Sequence, residues 1–250
     1  SCASCAAIDE GRAAIHGGGM SETKSPQDLV AELITLLTVR QDSEDRFIGS
    51  RKIGGVGRVF GGQVIAQALA SAELTVAPER QVHSLHAYFL RGGSEDHEIV
   101  YSIKRDFDGG SFSNRRVVAS QQGTPILNLA ASFHRPETGI SHTDTMPEVA
   151  GPDGLANELQ IWREAIHQVP EKVRDFVMRQ KAIEVRPVDP QQWLGFEPGP
   201  PQLFTWFRAS ASLPDDPRIH RAILAYASDY TLLGTCTVPH GLSWTSGEMM

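Results

Sequence analysis

The segment Gly62–Val76 constrains the fold more than any other. Its centre reads Gln63-Val64-Ile65-Ala66-Gln67-Ala68-Leu69-Ala70-Ser71-Ala72, alanine-rich and nearly apolar on every side. A helix with one apolar stripe can lie on a surface, whereas one that is apolar all round must be enclosed. Gly61-Gly62 at its entry would let another stretch of backbone approach closely. The run Gly54-Gly55-Val56-Gly57 with Gly61-Gly62 is a poor nucleotide cradle. Phe60 stands where the third glycine of G-x-G-x-x-G belongs, and no Lys-Ser/Thr follows.

The enclosing material comes next along the chain. Val82–Leu90, Ile99–Phe107, Phe112–Ser120 and Ile126–Phe133 are rich in β-branched and aromatic residues and read as strands. Asp108-Gly109-Gly110 marks a hairpin turn, and Gln122-Gly123-Thr124-Pro125 joins the last two. Consecutive strands without intervening helices pair antiparallel, so the fold class is α+β. Upstream, Ser25-Pro26-Gln27-Asp28 supplies an N-cap, a first-turn proline and a first-turn acid. Leu29, Leu33, Leu36 and Leu37 continue it as an amphipathic helix docked on the core.

Composition removes several classes of function. The 250 residues carry a net charge of −7, which excludes a general nucleic-acid binder. No run reaches the roughly 20 apolar residues of a membrane span. Three cysteines, an odd count, argue against a disulfide framework and for a reducing compartment, the cytoplasm by default. Cys2 and Cys5 fall in a stretch, Ser1–Gly19, without amphipathic pattern or the basic-then-apolar order of a signal peptide. Residues 1–24 are expected to be a disordered leader. The Cys2/Cys5 pair has no second pair or histidine cluster with which to hold a metal.

Beyond the first sheet the order of elements recurs. Prolines and glycines between Arg135 and Gln180 mark a linker with two short helical stretches, Glu158–His167 and Glu171–Arg179. Strand-like Ala182–Val188 and Leu203–Ala211 follow. A helix capped by Asp216-Pro217 is then expected to run through Leu232. The boundaries are 25–135 for a first domain, 136–181 for the linker and 182–250 for a second copy. In the first half, helix start to last strand takes roughly 70–75 residues, so the strands of the second would extend about 40 residues past Met250. The second half is thus expected to be incomplete, with a new segment beginning near Leu242.

Arg58-Val59-Phe60-Gly61-Gly62-Gln63 and Val82-His83-Ser84-Leu85-His86-Ala87-Tyr88-Phe89-Leu90-Arg91 resemble the type II acyl-CoA thioesterases. So do Asp108-Gly109-Gly110-Ser111-Phe112-Ser113 and Arg115-Arg116-Val117, and in the second half Val185-Arg186-Pro187, Pro214-Asp215-Asp216, His220, Ala225-Tyr226-Ala227-Ser228-Asp229 and Pro239-His240-Gly241. The resemblance spans about Leu29 to Met250. It implies a tandem (double) hotdog, each half a central helix wrapped by an antiparallel sheet. It also implies hydrolysis of fatty acyl-CoA to fatty acid and coenzyme A without metal or redox cofactor. The family's catalytic Asp, on the second central helix, maps onto Asp229. Its hydroxyl and Gln partners are expected beyond Met250. Acyl-CoA is the expected partner, homo-oligomerisation is expected, and the compartment is cytoplasmic, or the peroxisomal matrix in a eukaryote.

Thioester hydrolysis needs an activated water and a holder for the developing oxyanion. Asp229, among Ile223, Leu224, Ala225, Ala227, Leu232 and Leu233, is expected to be half-buried, which would raise its pKa; the alternative is a solvated acid on a helix face. Gly61, Gly62 and the start of the second helix are candidate oxyanion donors, and Gln63 a further substrate contact. His83 and His86, three apart on a strand, are expected on opposite faces and so form no metal pair; either could touch ligand or be structural. Arg115 and Arg116 could meet the phosphates of coenzyme A, at most one of them on any one face. Ser84, Ser111 and Ser113 lack a nucleophile elbow, and Cys236 is expected to be a buried small hydrophobe. Two rivals remain: a hotdog enoyl-CoA hydratase using Asp215 and His220, and an acyl-CoA-binding fragment without turnover.

Overall fold

The computed structural model describes residues 24–52 and 57–242. Helix α1 (Pro26–Leu37) starts on the expected signal: Ser25 caps it and Asp28 returns the bond to complete a capping box. Strands β1 (Val39–Ser43) and β2 (Arg46–Gly49) follow, then α2 (Gly61–Glu73). Four long strands come next: β3 (Gln81–Phe89), β4 (Val100–Asp108), β5 (Phe112–Gln121) and β6 (Thr124–His134). All six pair antiparallel in the order β1-β2-β4-β5-β6-β3. The expected leader, apart from Lys24, which pairs with Glu32 of α1, and the glycines at 54–55 lie outside the described residues.

The sheet wraps α2, which touches every one of its strands. Val64, Ala66, Ala68, Leu69 and Ala72 pack against Tyr101, Val117, Ala119, Leu127, Leu129 and Phe133 in one core. The long strands alternate as half-buried strands do, with Ser113, Arg115, Val117, Ala119 and Gln121 of β5 facing in. Gln122 and Gly123, both at positive φ, form the two-residue turn from β5 to β6. Gln67 of α2 is buried without being wasted. Gln67 donates to Leu36 O and Ser50 O and accepts from the Tyr101 hydroxyl at 2.7 Å. With its hydroxyl wholly buried, Tyr101 has its pKa pushed well above the usual phenol value.

Beyond Arg135 the chain has no regular element until α3 (Glu158–Glu164), and α4 (Glu171–Val177) follows. These form a small core of their own around Trp162, with Ile161, Val169, Val177 and Leu194. Strands β7 (Ile183–Pro187) and β8 (Thr205–Ala209) pair antiparallel, with α5 (Pro190–Leu194) between them. Helix α6 (Pro217–Ala227) then lies along α2, in the packing against which the opposite face of α2 is buried. It ends earlier than its apolar pattern suggests. Ser228 closes it, and α7 (Leu232–Thr237) is a separate turn of helix. The segment expected from Leu242 onward falls, apart from Leu242 itself, outside the described residues.

The helices α2 and α6 run antiparallel, since the start of α2 meets the end of α6 while Glu73 at its end meets Arg221. Arg221 Nε donates to Glu73 Oε1 at 2.5 Å, and the carboxylate is almost wholly enclosed. Desolvation raises the pKa of Glu73 despite this bond. Removing the cation alone strands a buried carboxylate. Arg221→Met is therefore expected to cost about 3 kcal/mol in urea unfolding at pH 7, and the double change Glu73→Leu/Arg221→Met far less. A folded-state pKa above the unfolded one disfavours folding as pH rises, so the single variant's deficit should shrink as pH falls toward 4.5.

Candidate active site

The entry of α2 brings the two halves into closest contact. The backbone there must be glycine. A Cβ on Gly62 would fall on the carbonyl oxygen of Tyr226 and the ring of Phe60. A Cβ on Gly61 would sit 2.6 Å from Asp229 Oδ2 and 2.7 Å from the ring of Phe89. The carboxylate of Asp229 and an aromatic ring from the end of β3 thus converge on the first residue of α2.

Asp229 lies just past the end of α6, in the turn Ser228-Asp229-Tyr230, rather than on the helix. The turn is held by Ser228 N–H to Leu224 O and Tyr230 N–H to Ala227 O. The residue is half-buried as expected, but its cover differs. Leu224, Leu232 and Leu233 are exposed, and the groups around the carboxylate are Gly61, Gly62 and Phe89. Burial raises its pKa above the usual carboxylate value, partly opposed by the Gly62 N–H, which favours the ion. The positive end of α2 acts in the same direction. The result is a carboxylate with a greater proton affinity than an ordinary aspartate, set against a helix N-terminus suited to an oxyanion.

Beside it, Phe60 packs edge-on to Tyr226 at 5.0 Å and to Tyr230 at 5.4 Å. Burial raises the pKa of both phenols, so they stay protonated. Lys181 sits 5.7 Å from the centre of the Tyr230 ring and pairs with Glu158, tying the α3 region to this cluster. Gln63, one residue beyond Gly62, is buried and directed to Ser50 O at 3.4 Å.

The other sequence-predicted residues lie elsewhere. A β-bulge between Val82 and Ser84 adds one residue to β3. His83 and His86 therefore share the outer face of the sheet instead of opposing faces. His83 meets Ser132 Oγ at 2.9 Å and the ring of His134 at 4.7 Å, and His86 stacks near Tyr88. Arg115 faces the interior, 2% exposed, and all five of its N–H groups are spent on Thr75, Phe107 O, Asn114 O and the Asp108 carboxylate. It has no donor for a phosphate. Arg116 faces outward and pairs with Asp106 at 3.2 Å. Cys236 is exposed, not buried, because α7 shows that side to solvent. The Asp215/His220 pair is not assembled: His220 Nε2 meets Pro214 O at 2.9 Å, and Asp215 is exposed. Phe89 was quoted in the sequence motif but not singled out, and only the fold carries it to Gly61. Among the described residues no group of three or more His, Cys, Asp or Glu could hold a metal ion.

Residues 50–134 match the family described as Acyl-CoA thioesterase N-terminal domain, and residues 176–250 match Acyl-CoA thioesterase. Acyl-CoA thioesterase 2 of Haemophilus influenzae is 35% identical over 85% of this chain and 74% of its own. Acyl-coenzyme A thioesterase 8 of Homo sapiens is 33% identical over 86% of this chain and 70% of its own. Among solved structures, an acyl-CoA thioesterase II from Mycobacterium marinum superposes with a TM-score of 0.64 at 36% identity, covering 84% of this chain and 71% of that one. A hot dog fold protein from Alicyclobacillus acidocaldarius gives 0.63 at 20% identity, over 84% of this chain and 72% of that one, and shares the fold.

The glycine requirement makes a direct test. Gly62→Ala must push α6 away from α2, because the obstructing atom is backbone. It is expected to lower thioester turnover at least tenfold, with Tyr226 and Asp229 displaced in a structure of the variant. Gly123→Ala, at a turn with nothing within 4 Å, should leave turnover unaltered while costing about 1 kcal/mol of stability for its positive φ.

Proposed function

The chain belongs to the acyl-CoA thioesterase family and is an acyl-CoA thioester hydrolase, and from that premise we propose that hydrolysis proceeds through a water activated by Asp229. The observation that carries the mechanism is the half-buried carboxylate, its pKa raised, set against the first residues of α2. Asp229 takes a proton from water as the oxygen attacks the thioester carbonyl. The Gly62 N–H holds the Asp229 carboxylate, and the N–H of Gly61, at the opening of α2, faces the charge that develops on the carbonyl oxygen. When the tetrahedral species collapses, the C–S bond breaks and the proton on Asp229 passes to the departing sulfur, leaving fatty acid and coenzyme A. Phe89 and Phe60 line the approach and keep it apolar, which strengthens each of these interactions.

We further propose two hotdog halves, at 25–135 and 182–250, joined by 136–181. The contact of α2 with α6 and the small core around Trp162 support this division. Self-association is proposed as well. Among the described residues β3 pairs on one side only, and Tyr88, Phe89 and Leu90 near its end are exposed. Sedimentation velocity tests it, a dimer or larger species being the expected result. Acyl-CoA thioesters in the cytoplasm, or in a eukaryote the peroxisomal matrix, are the proposed substrate pool. No described helix is long and apolar enough to cross a membrane.

One incubation with a long-chain 2-enoyl-CoA separates hydrolysis from hydration, following free thiol and the conjugated double bond together. Thiol release is expected, and Asp229→Asn should reduce it at least a hundredfold. Loss of the double bond without thiol would sink the hydrolytic mechanism. The base must be ionised to act, so the acid limb of the rate should lie above pH 3.8, where an ordinary aspartate titrates. The same raised pKa means that ionised Asp229 opposes folding as pH rises. Asp229→Asn should thus be at least as stable as the native chain at pH 7 while nearly inactive.

A further inference from the structure

We propose that Arg51, Lys52, Arg58 and Arg91 form the subsite for the phosphate groups of coenzyme A. The proposal rests on the thioesterase reading of the same site and names the half of the substrate that the reading leaves unplaced.

Just before α2 the chain makes a short antiparallel ladder with the segment that follows β3. Val59 N–H donates to Gly93 O at 3.0 Å, Glu95 N–H donates to Gly57 O at 2.9 Å, and Arg58 stands opposite Ser94. The side chain of Arg58 lies over Gly92, whose Cβ position would be 3.6 Å from Arg58 Nε. Arg91 immediately precedes Gly92, and its Nη1 donates to Pro125 O at 2.9 Å. At the other end, Arg51 Nη1 donates to Asp96 O at 2.7 Å, and Lys52 shares a small recess with Arg51, Val59 and Gln63.

All four cations are exposed, and among the described residues none is in an ion pair. Among the described residues Arg51 and Arg91 bond backbone carbonyls alone, which orients a guanidinium without neutralising it. Two acids stand nearby: the Asp96 carboxylate accepts from Ser94 Oγ at 3.4 Å, and Glu95, which lines the same recess as Arg51 and Lys52, lies close enough to Tyr226 to raise its phenol pKa. In a chain of net charge −7, four cations around one ladder, none in an ion pair among the described residues, make a local anion site. Arg58-Val59-Phe60 leads directly into Gly61, where Asp229 sits. A polyanionic substrate must reach this carboxylate, and cations at the entry offset the repulsion while arginine forks match phosphate oxygens. Arg115 and Arg116 are excluded by the bonds they already make.

Calorimetric titration with coenzyme A and with pantetheine, which lacks the phosphates, tests this without relying on turnover. The native protein is expected to bind coenzyme A at least tenfold more tightly than pantetheine, with the gap narrowing between 50 and 500 mM salt. Lys52→Ala/Arg58→Ala should lose at least tenfold in affinity for coenzyme A and less than twofold for pantetheine. Arg116→Ala should keep the native preference. Equal affinity of the native protein for the two ligands, an unchanged preference in the double variant, or equal losses for both ligands would each overturn the subsite. A native protein that prefers coenzyme A yet releases no thiol from acyl-CoA would retire the hydrolytic reading and leave the phosphate subsite standing.

Discussion

Every other feature of the molecule depends on enclosing α2. A helix whose faces carry Val64, Ile65, Ala66, Ala68, Leu69 and Ala72 has no side that water solvates well. Six strands cover one part of it and α6 covers another, so both halves of the chain contribute to a single core. The small side chains matter as much as their apolarity. Alanines and glycines allow α6 to lie close, and at Gly62 the approach leaves no room for even one added carbon.

That close approach is also what makes the site. Without it Asp229 would be an ordinary acid in a turn. Pressed against Gly61 and Phe89, it loses water and gains proton affinity, while the start of α2 keeps its ionised form accessible. The Glu73–Arg221 bond at the other end of the same helix pair fixes how α6 lies along α2. Packing and the electrostatics of this carboxylate are in this way set by one helix–helix contact.

Much of the fold was legible beforehand because it rests on local patterning. The four long strands, the Ser25 cap and the α2 core follow from periodicity and turn chemistry. β1 and β2 were not legible: Val39-Arg40-Gln41-Asp42-Ser43 has no alternation, and it is a strand only because it pairs with its neighbour. α5 did carry a signal, Asp189-Pro190 before it and Gly195 after, the same grammar that marks α6. The bulge in β3 gives no signal of its own, yet it moves His83 to the face of His86. Arg115 reads like a surface cation until its register on the inner face of β5 is known.

The sequence by itself determined the fold class, the enclosed helix, the order of elements and the family, because each of these rests on local chemistry or on motif spacing, and the resemblance pointed to Asp229 as the candidate acid. Only the tertiary structure decided what surrounds that carboxylate, which arginines are already committed, and which exposed cations lie outside any ion pair among the described residues. Those are questions of register and of contact between residues far apart in the chain. Strand pairing and helix packing answer them, since one bulge or one missing Cβ is enough to turn a side chain from one environment to another.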